Sequence, residues 1–424
     1  MGRMKLTLVV SVASALAVAP GARALPAPEE ATRYSVTLRP DFRKQVFQGE
    51  EQLDFQAEAG VVQFTKQPGL RITKVTGGSL VKDGASGASV RVRLRKSGRQ
   101  SLRFRYTVTA GRGLKWLAND KGFLSTFYCD AWMICNDRPD HRATMRLEIV
   151  QPASDFLPVG PGRLVSSTQV KGEHHYVFEQ AEPVQTYLFS FAAARLQGST
   201  DDNFIIYAGA GGHGIALHKT RTAAAFFLEK ASTEPLNRTY TQVFLPETGI
   251  GQEAAGLALM SEEYLQALER EDDVDLMAHE LAHQWWGVLV GIRSWSDFWL
   301  NEGMAEFMAD AFVERHQGRR AYDQRMNKLH QRMAALQKEG KDRPLHWDGW
   351  KDAHEALGPI PYVKGALFLD NLRKQLGETR FWGGIALYTR RHARSLVDTR
   401  AFQRAMEEAS GRSLAQLFDE AVYK

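Results

Sequence analysis

Apolar and polar residues alternate along much of the first half of the chain. In SLRFRYTVT the apolar positions are Leu102, Phe104, Tyr106 and Val108, and polar residues separate them. A period of two places successive side chains on opposite faces of a strand, so this segment predicts a half-buried β-strand. Turn residues separate similar segments between residues 32 and 196, which are ATRYSVTLRP, VRVRLR, TMRLEIVQP and YLFSFAAARL. Together they predict an antiparallel β domain.

From about residue 222 onward the apolar spacing changes to three and four, which is typical of helices. Asp272 and Asp273 begin one such segment and suit the N-terminal end of a helix. Near the end of the sequence, Gly411 can stop one helix, and a capping box from Ser413 to Gln416 can start the next. The apolar stripe predicted after the two aspartates is Val274, Met277, Leu281, Trp285 and Val288.

The change of pattern falls near GSTDD, at residues 198–202. The sequence therefore predicts an α+β multidomain protein. We expect an N-terminal β domain over residues 25–200 and a mainly helical domain over residues 201–424.

The first 24 residues have the pattern of a secretory signal peptide. Arg3 and Lys5 precede an apolar run, and Ala22-Arg23-Ala24 offers a small-x-small cleavage site. The alternative is a membrane anchor, but the run is shorter than the ~20 residues that a spanning helix needs. We therefore expect a periplasmic or secreted protein with no stable membrane anchor after cleavage.

Charge argues against nucleic acid as a partner. Without the three basic residues of the leader, 51 basic and 49 acidic residues remain, a net charge of +2. A nucleic-acid-binding protein would carry a strong basic patch. The sequence also contains two cysteines, Cys129 and Cys135. After export they could form a disulfide, but two buried thiols remain an alternative because spacing does not give geometry.

The predicted helix also carries the pattern HELAHQWWG. His279 and His283 are one helical turn apart, so both imidazoles project from the same face and can bind one zinc ion. Glu280 lies between them, where it can reach a zinc-activated water. Glu302, 19 positions after His283, starts a second helical pattern and could supply the third protein ligand. The alternative is a core helix that carries two histidines and no metal.

HELAHQWWG followed by WLNEG resembles the aminopeptidase N family of gluzincin metallopeptidases, which also contains the leukotriene hydrolases. CNDRPDHRATMRLEIV, IPYVKGALFL and FQRAMEEASGRSLAQLFDEAV resemble further segments of that family, in the same order. The resemblance covers nearly the whole chain after the leader. It implies a saddle-like antiparallel β domain followed by a mainly helical, thermolysin-like zinc domain over residues 201–424.

The resemblance assigns roles to individual residues. It implies that His279, His283 and Glu302 bind one Zn²⁺. It implies that Glu280 is the general base of peptide hydrolysis and that Tyr362 hydrogen-bonds the tetrahedral oxyanion.

Binding of a free amino terminus is where the sequence departs from the family. Glu253 in GQEAAG aligns with the glutamate that binds the substrate ammonium, but Gln252 and Ala254 replace the family's methionine and asparagine. Upstream, Ser125 and Thr126 occupy the region where the family has a glutamine or glutamate. The amine site is therefore expected to be modified.

Several further candidates have alternative interpretations. Glu306, one turn after Glu302, could orient a zinc-bound imidazole or could be a solvated carboxylate. Asp297 and Asn301 have the same two interpretations. Asp130 could replace the missing glutamine, but a turn residue is the better interpretation.

The sequence ends at Lys424, shortly after the helices that resemble the end of the family's catalytic domain. Without the long helical domain of many relatives, we expect a more open cleft. Trp347, Trp350 and His354 are candidates to line its substrate side.

Peptide substrates are the expected partners, and the most favoured activity is removal of N-terminal residues. An endopeptidase with an open cleft and a non-catalytic peptide-binding protein are the alternatives. The sequence predicts no oligomeric state.

Overall fold

A computed structural model of the chain describes residues 31–81, 87–152, 154–350 and 353–424. The predicted signal peptide, residues 1–24, lies outside the described residues. None of the helices in the described ranges is long and apolar enough to span a membrane.

The first domain consists mainly of strands, as the alternating pattern predicts. Leu102, Phe104, Tyr106 and Val108 are all buried on one face of a single strand. The strands are β1 (Ala31–Asp41), β2 (Val46–Ala57), β3 (Gly60–Thr65), β4 (Leu70–Thr76), β5 (Ser79–Leu80), β6 (Ser89–Leu94), β7 (Gly98–Thr109), β8 (Leu114–Trp116), β9 (Gly122–Ser125), β10 (Arg142–Pro152), β11 (Leu157–Val159), β12 (Arg163–Val170), β13 (Glu173–Gln185) and β14 (Ala192–Ala194).

A seven-stranded sheet with the order β12-β13-β10-β1-β2-β7-β4 is the main layer of this domain. Its strands pair antiparallel except β1 and β10, which run parallel, so the domain is not purely antiparallel. The apolar face of the small sheet β3-β6-β5 packs on it, and Phe55 meets Phe64 at 5.5 Å between ring centroids. The strands β11-β14-β9-β8 form a third sheet.

The two cysteines form a disulfide. The Sγ atoms of Cys129 and Cys135 are 2.03 Å apart. Of the two alternatives that the sequence left open, the structure therefore has the disulfide, which closes a short loop around the buried Trp132.

The second domain combines a sheet with helices. Its sheet has the order β15-β16-β17-β19-β18, with parallel central pairs and antiparallel edges. The elements are β15 (Gln197–Asp201), β16 (Phe204–Ala208), α1 (Gly214–Ala231), β17 (Tyr240–Leu245), β18 (Gly251–Ala254), β19 (Leu257–Ser261), α2 (Glu262–Gln266), α3 (Asp275–Ala282), β20 (Val290–Ile292), α4 (Trp299–Gln317), α5 (Arg319–Lys338), α6 (Ala353–Ala356), α7 (Pro359–Leu376), α8 (Glu378–His392), β21 (Ser395–Val397), α9 (Thr399–Ser410) and α10 (Ala415–Ala421). Since β15 pairs within this sheet, the second domain begins slightly upstream of the boundary predicted after residue 200.

Helix α3 is shorter than its sequence pattern predicts. Val274 caps the helix instead of either predicted aspartate. The Asp273 carboxylate accepts a hydrogen bond from the Asp275 backbone at 3.2 Å, and Asp272 ends the preceding turn with φ 58°. The chain leaves the helix after His283 and turns at Gly287, whose φ is 142°. Trp285 is nevertheless buried. The apolar spacing therefore continued past the helix into a buried turn.

The two C-terminal helices differ in how well their ends were predicted. Gly411 stops α9 in the left-handed conformation with φ 65°, as predicted. The predicted capping box from Ser413 to Gln416 is wrong, because α10 begins after Leu414 and the Gln416 side chain donates to Glu420 at 2.9 Å instead of reaching back to Ser413. The Ser413 hydroxyl accepts from Ala415 at 3.5 Å, and the Glu407 carboxylate of the preceding helix accepts from the Leu414 backbone at 2.8 Å.

Candidate functional site

Two neighbouring helices bring the three predicted metal ligands together. Helix α3 carries His279 and His283, and α4 carries Glu302 in its first turn. The two Nε2 atoms are 3.1 Å apart, and each lies 3.4 Å from Oε2 of Glu302. All three side chains are buried.

This triangle has the dimensions of a zinc site. In a tetrahedral site with bonds of ~2.0–2.1 Å, neighbouring donor atoms are about 3.3–3.4 Å apart. The donor set of two imidazoles and one carboxylate suits zinc. The residues present therefore fit a zinc ion and leave a fourth position for water or substrate.

A contact at the second ring nitrogen, Nδ1, fixes the orientation of each imidazole. Nδ1 of His279 lies 3.3 Å from Oε2 of Glu306, and Nδ1 of His283 lies 3.1 Å from the carbonyl oxygen of Trp286. Such partners set the tautomer and leave both Nε2 atoms for a metal. Glu306 therefore contacts a ligand histidine, which is the first of the two interpretations that the sequence left open.

Charge around the triangle favours an ionised ligand. Burial alone would raise the pKa of Glu302, but the facing imidazoles of His283 and His279 lower this pKa to about 2. Glu302 is therefore a carboxylate at any pH at which the protein works.

Glu280 lies beside the triangle and is almost fully buried. Among the described residues its Oε2 has no hydrogen-bond partner. Burial raises the pKa of Glu280, while His279 and His283 oppose this. The carboxylate also lies close to the strand β18, since a Cβ added to Gly251 would stand 2.9 Å from its Oε1. A side chain at this position would crowd both Glu280 and Leu276, whose Cδ1 would lie 2.7 Å from the added Cβ.

Tyr362 reaches the same site from the first turn of α7. Its ring is nearly parallel to that of His279, with 5.9 Å between centroids, and its hydroxyl lies beside Glu302. Burial and the surrounding carboxylates raise the pKa of Tyr362 well above its ordinary range. The phenol is therefore protonated and can donate a hydrogen bond.

Glu253 lies on the edge strand β18 and faces the same cluster. Its carboxylate, that of Glu280 and a ring nitrogen of His283 lie within 4.8 Å of one another. Nε2 of Gln252 donates to Oε2 of Glu253 at 3.0 Å, whereas Oε1 has no hydrogen-bond partner among the described residues. Burial, with Glu302 and Glu280 adding to it, raises the pKa of Glu253 to about 8. This environment favours a cation beside Oε1.

The replacements around Glu253 have structural roles of their own. Gln252 supports the carboxylate, and the carbonyl of Ala254 accepts at 3.0 Å from the side chain of Gln284, which follows the end of α3. Thr126 lines a cavity of about 260 Å³ together with Gln252. The Ser125 hydroxyl is buried and accepts from a backbone N–H at 3.0 Å. The sequence gave no signal for the role of Gln252, which is visible only from the contact.

Asp130 does not join this cluster. It lies in a short 3₁₀ turn of the first domain and hydrogen-bonds Asp137. The turn interpretation, which the sequence favoured, is the one that the structure has.

Two other candidates near the start of the ligand helix have different partners. Asp297 lies two residues before α4 and accepts from the backbone and hydroxyl of Thr399 at 3.0 and 2.7 Å, so it connects the segment before α4 to α9. Asn301 donates to the hydroxyl of Tyr187 in the first domain at 2.9 Å. Sequence reasoning missed Tyr187, because no motif marks a residue that reaches the site from more than 100 positions away.

The segment expected to line the substrate side keeps that role as a prediction. Trp347 donates its backbone N–H to the Ser296 carbonyl at 3.2 Å, and Trp350 is partly buried against the main hydrophobic core. The side chain of His354 lies outside the described residues.

Comparison with known proteins finds similarity to one family of peptidases. Residues 215–420 match the peptidase family M1 domain. The chain is 30% identical to aminopeptidase N of Canis lupus familiaris over 60% of its own length, and 28% identical to aminopeptidase N of Lactococcus lactis subsp. lactis over 67%. The matched regions span 29% and 36% of those relatives, so the chain corresponds to about a third of each.

Solved structures share the two-domain fold. An M1 zinc metallopeptidase mutant from Deinococcus radiodurans, bound to a Tyr-Ser-Ala substrate, superposes with a TM-score of 0.78. The match covers 93% of this chain and 94% of that one at 22% identity. The predicted α+β architecture, with a β-rich first domain and a mainly helical second one, is thereby confirmed.

Proposed function

Because residues 215–420 match the peptidase family M1 domain, we propose that the chain is a zinc-dependent metallopeptidase that removes N-terminal residues from peptides. One observation carries this proposal: a three-ligand metal site, the carboxylate of Glu280 and the half-free carboxylate of Glu253 occupy one buried cluster. The names of the aminopeptidase N relatives agree with it.

His279, His283 and Glu302 would hold one Zn²⁺. A zinc ion in such a site supplies Lewis acidity, which lowers the pKa of water and polarises a peptide carbonyl. Everything else that the reaction requires has to come from side chains around the triangle.

Glu280 and Tyr362 provide proton transfer and oxyanion binding in this proposal. Glu280 accepts the proton of the attacking water and returns it to the leaving nitrogen. Tyr362 donates its hydroxyl hydrogen to the carbonyl oxygen as negative charge develops there.

Glu253 would select substrates with a free amino terminus. An α-ammonium group at Oε1 would balance the buried negative charge, and Gln252 would keep Oε2 in place. An N-acetylated peptide lacks this charge and would leave the carboxylate unpaired in the site.

The experiment compares one series of peptides with free and N-acetylated termini, with and without a chelator. We expect chelator-sensitive cleavage of the free peptides and little cleavage of the blocked ones. Glu253→Gln should lower kcat/KM for free peptides by roughly 10- to 100-fold, the effect of losing a charged hydrogen bond. Equal cleavage of both series would support an endopeptidase instead, and binding without cleavage would support a peptide-binding protein.

Glu280→Gln tests the proposed base separately from the metal. The variant should retain zinc, because the amide has nearly the same shape and Glu280 is not a ligand. Its kcat should fall by about 10²–10⁴-fold, the usual contribution of a general base. Zinc content by elemental analysis and single-turnover cleavage measure the two properties, and unchanged kcat would contradict this role.

We also propose that the protein acts in the periplasm or outside the cell. The leader pattern of residues 1–24 and the disulfide Cys129–Cys135 support this location, since disulfides persist in oxidising compartments. Expression with the full leader should yield a mature chain beginning at Leu25 in the exported fraction, as measured by intact mass. An uncleaved chain retained in the cytoplasm would be evidence against it.

A further inference from the structure

One arginine outside the candidate site contacts three carboxylates behind it. Arg325 lies on α5, and 22% of its side chain is exposed. Its guanidinium hydrogen-bonds the carboxylates of Asp310 and Asp275, and it lies 4.0 Å from Glu306.

These carboxylates belong to the two helices that carry the metal ligands. Asp275 is the first residue of α3, four positions before His279. Glu306 and Asp310 lie one and two turns after Glu302 on α4. A single guanidinium from a third helix therefore links the helix of the two histidines to the helix of the glutamate.

Charge explains why the cation is needed. Asp310 is buried and Glu306 and Asp275 are partly exposed, so the three carboxylates are incompletely screened by water and would repel one another without a partner. Without the guanidinium, two negatively charged neighbours would repel the Glu306 carboxylate, which faces Nδ1 of His279 at 3.3 Å. Arginine suits this position because its planar guanidinium has five donors and remains charged.

We propose that Arg325 is a positioning residue for the metal site. It holds α3 and α4 at a fixed separation, and it keeps the Glu306 carboxylate on His279. The proposal rests on the proposed zinc-dependent function, but its test reads metal retention directly and needs no substrate.

The experiment measures the rate at which the zinc-loaded protein transfers its metal to a chromogenic chelator. Arg325→Met should release zinc about tenfold faster, since outer partners of metal ligands typically change affinity by roughly 10- to 100-fold. Arg325→Lys should lie between it and the unchanged protein, because an ammonium lacks the planar fork that contacts several carboxylates.

Arg319→Met is the matched control. Arg319 lies on the same helix and pairs with Asp323 at 2.8 Å and Glu314 at 3.3 Å, near the far end of α4. Its loss should lower stability slightly and leave zinc release unchanged. If Arg325→Met and Arg319→Met accelerate zinc release equally, Arg325 has only a general structural role and the proposal is overturned.

Asp310→Asn provides a second route if Arg325→Met does not fold. It removes the charged partner of Arg325 on α4 and keeps the cation, so zinc release should still accelerate severalfold. Unchanged release in this variant overturns the proposal. A protein that holds zinc but cleaves no peptide would contradict the proposed function alone and would leave the role of Arg325 standing.

Discussion

At the scale of single residues, Glu51 is a carboxyl group buried far from the candidate site. It is 3% exposed in β2 and accepts a hydrogen bond from the backbone of Ile134 at 2.9 Å. Burial raises its pKa well above the ordinary value. In the unfolded chain a glutamate releases its proton near pH 4.3, to within about a unit. In the folded protein Glu51 keeps this proton to a higher pH.

Glu51→Gln should change how stability depends on pH. Between the unfolded and folded pKa values the folded state binds more protons, so its stability falls as pH rises. The slope is up to about 1.4 kcal/mol per pH unit for one such group. Glutamine does not titrate, so the free energy of unfolding of the variant, relative to the original protein, should increase from pH 5 to pH 8 in urea titrations.

Glu50→Gln is the control, because Glu50 is exposed on the opposite face of the same strand. The free energy of unfolding of Glu50→Gln should differ from that of the original protein by the same small amount at pH 5 and at pH 8. A pH-independent difference for Glu51→Gln would show that the buried group is ionised in the folded state.

Residue roles were predictable where local spacing determines geometry. His279 and His283 share a helical face by sequence alone, and the structure places their Nε2 atoms 3.1 Å apart. Glu302 was a candidate ligand from its position in the next helical pattern, and the resemblance supported it, whereas Tyr362 came from the resemblance alone. Arg325 could not be predicted, since its contacts depend on how α5 packs against two other helices and no local pattern encodes that.

At the scale of elements, two glycines set the distance between α4 and α7. A Cβ added to Gly365 would lie 2.7 Å from Cα of Gly303, so the helix backbones touch at this crossing. Glu302 directly precedes one glycine, and Tyr362 lies one turn before the other. The glycine contact therefore brings the ligand and the phenol to the same site.

Gly365→Ala should force the two helices apart. Overpacking of this kind costs about 1–3 kcal/mol of stability. Because a displacement of ~1 Å at a reacting group can cost 10²-fold, kcat should fall by at least tenfold while zinc remains bound. Unfolding in denaturant and steady-state kinetics measure the two effects.

Gly383→Ala on α8 serves as the comparison, because no heavy atom lies within 4 Å of its added Cβ. It should raise stability by about 0.5–1 kcal/mol and leave kcat unchanged. If Gly365→Ala behaved in the same way, the close helix contact would not position the site.

Element types were easier to predict than element ends. The period-two pattern of β7 and the helical spacing of α3 were both correct, because each repeats over several residues. The end of α3 was not, since Trp285 satisfies the helical spacing from a turn that tertiary packing buries. The start of α10 failed for a similar reason, because its cap comes from Glu407 on the preceding helix.

At the scale of the whole molecule, the first domain supports the site from outside. Leu188 accepts a backbone hydrogen bond at 3.2 Å from Ala255, which follows the strand of Glu253. Tyr187, the residue before it, accepts from Asn301 next to Glu302 at 2.9 Å. One turn of the first domain thus contacts both the strand that carries Glu253 and the helix that carries Glu302. The sequence predicted two domains, but it contained no signal for this contact between them.

Tyr187→Phe should therefore weaken both the interface and the reaction. The phenylalanine keeps the packing on Phe127 and Trp295, whose ring centroids lie 4.8 and 5.2 Å away, but removes the acceptor of the Asn301 amide. A buried amide donor without a partner costs about 1–3 kcal/mol, and the free energy of unfolding should fall by that amount. A modest decrease in kcat/KM should accompany it, because Asn301 directly precedes a metal ligand. Tyr176→Phe, on the half-buried strand β13, should change neither quantity. An unchanged free energy of unfolding for Tyr187→Phe would mean that the two domains hold the site through packing alone.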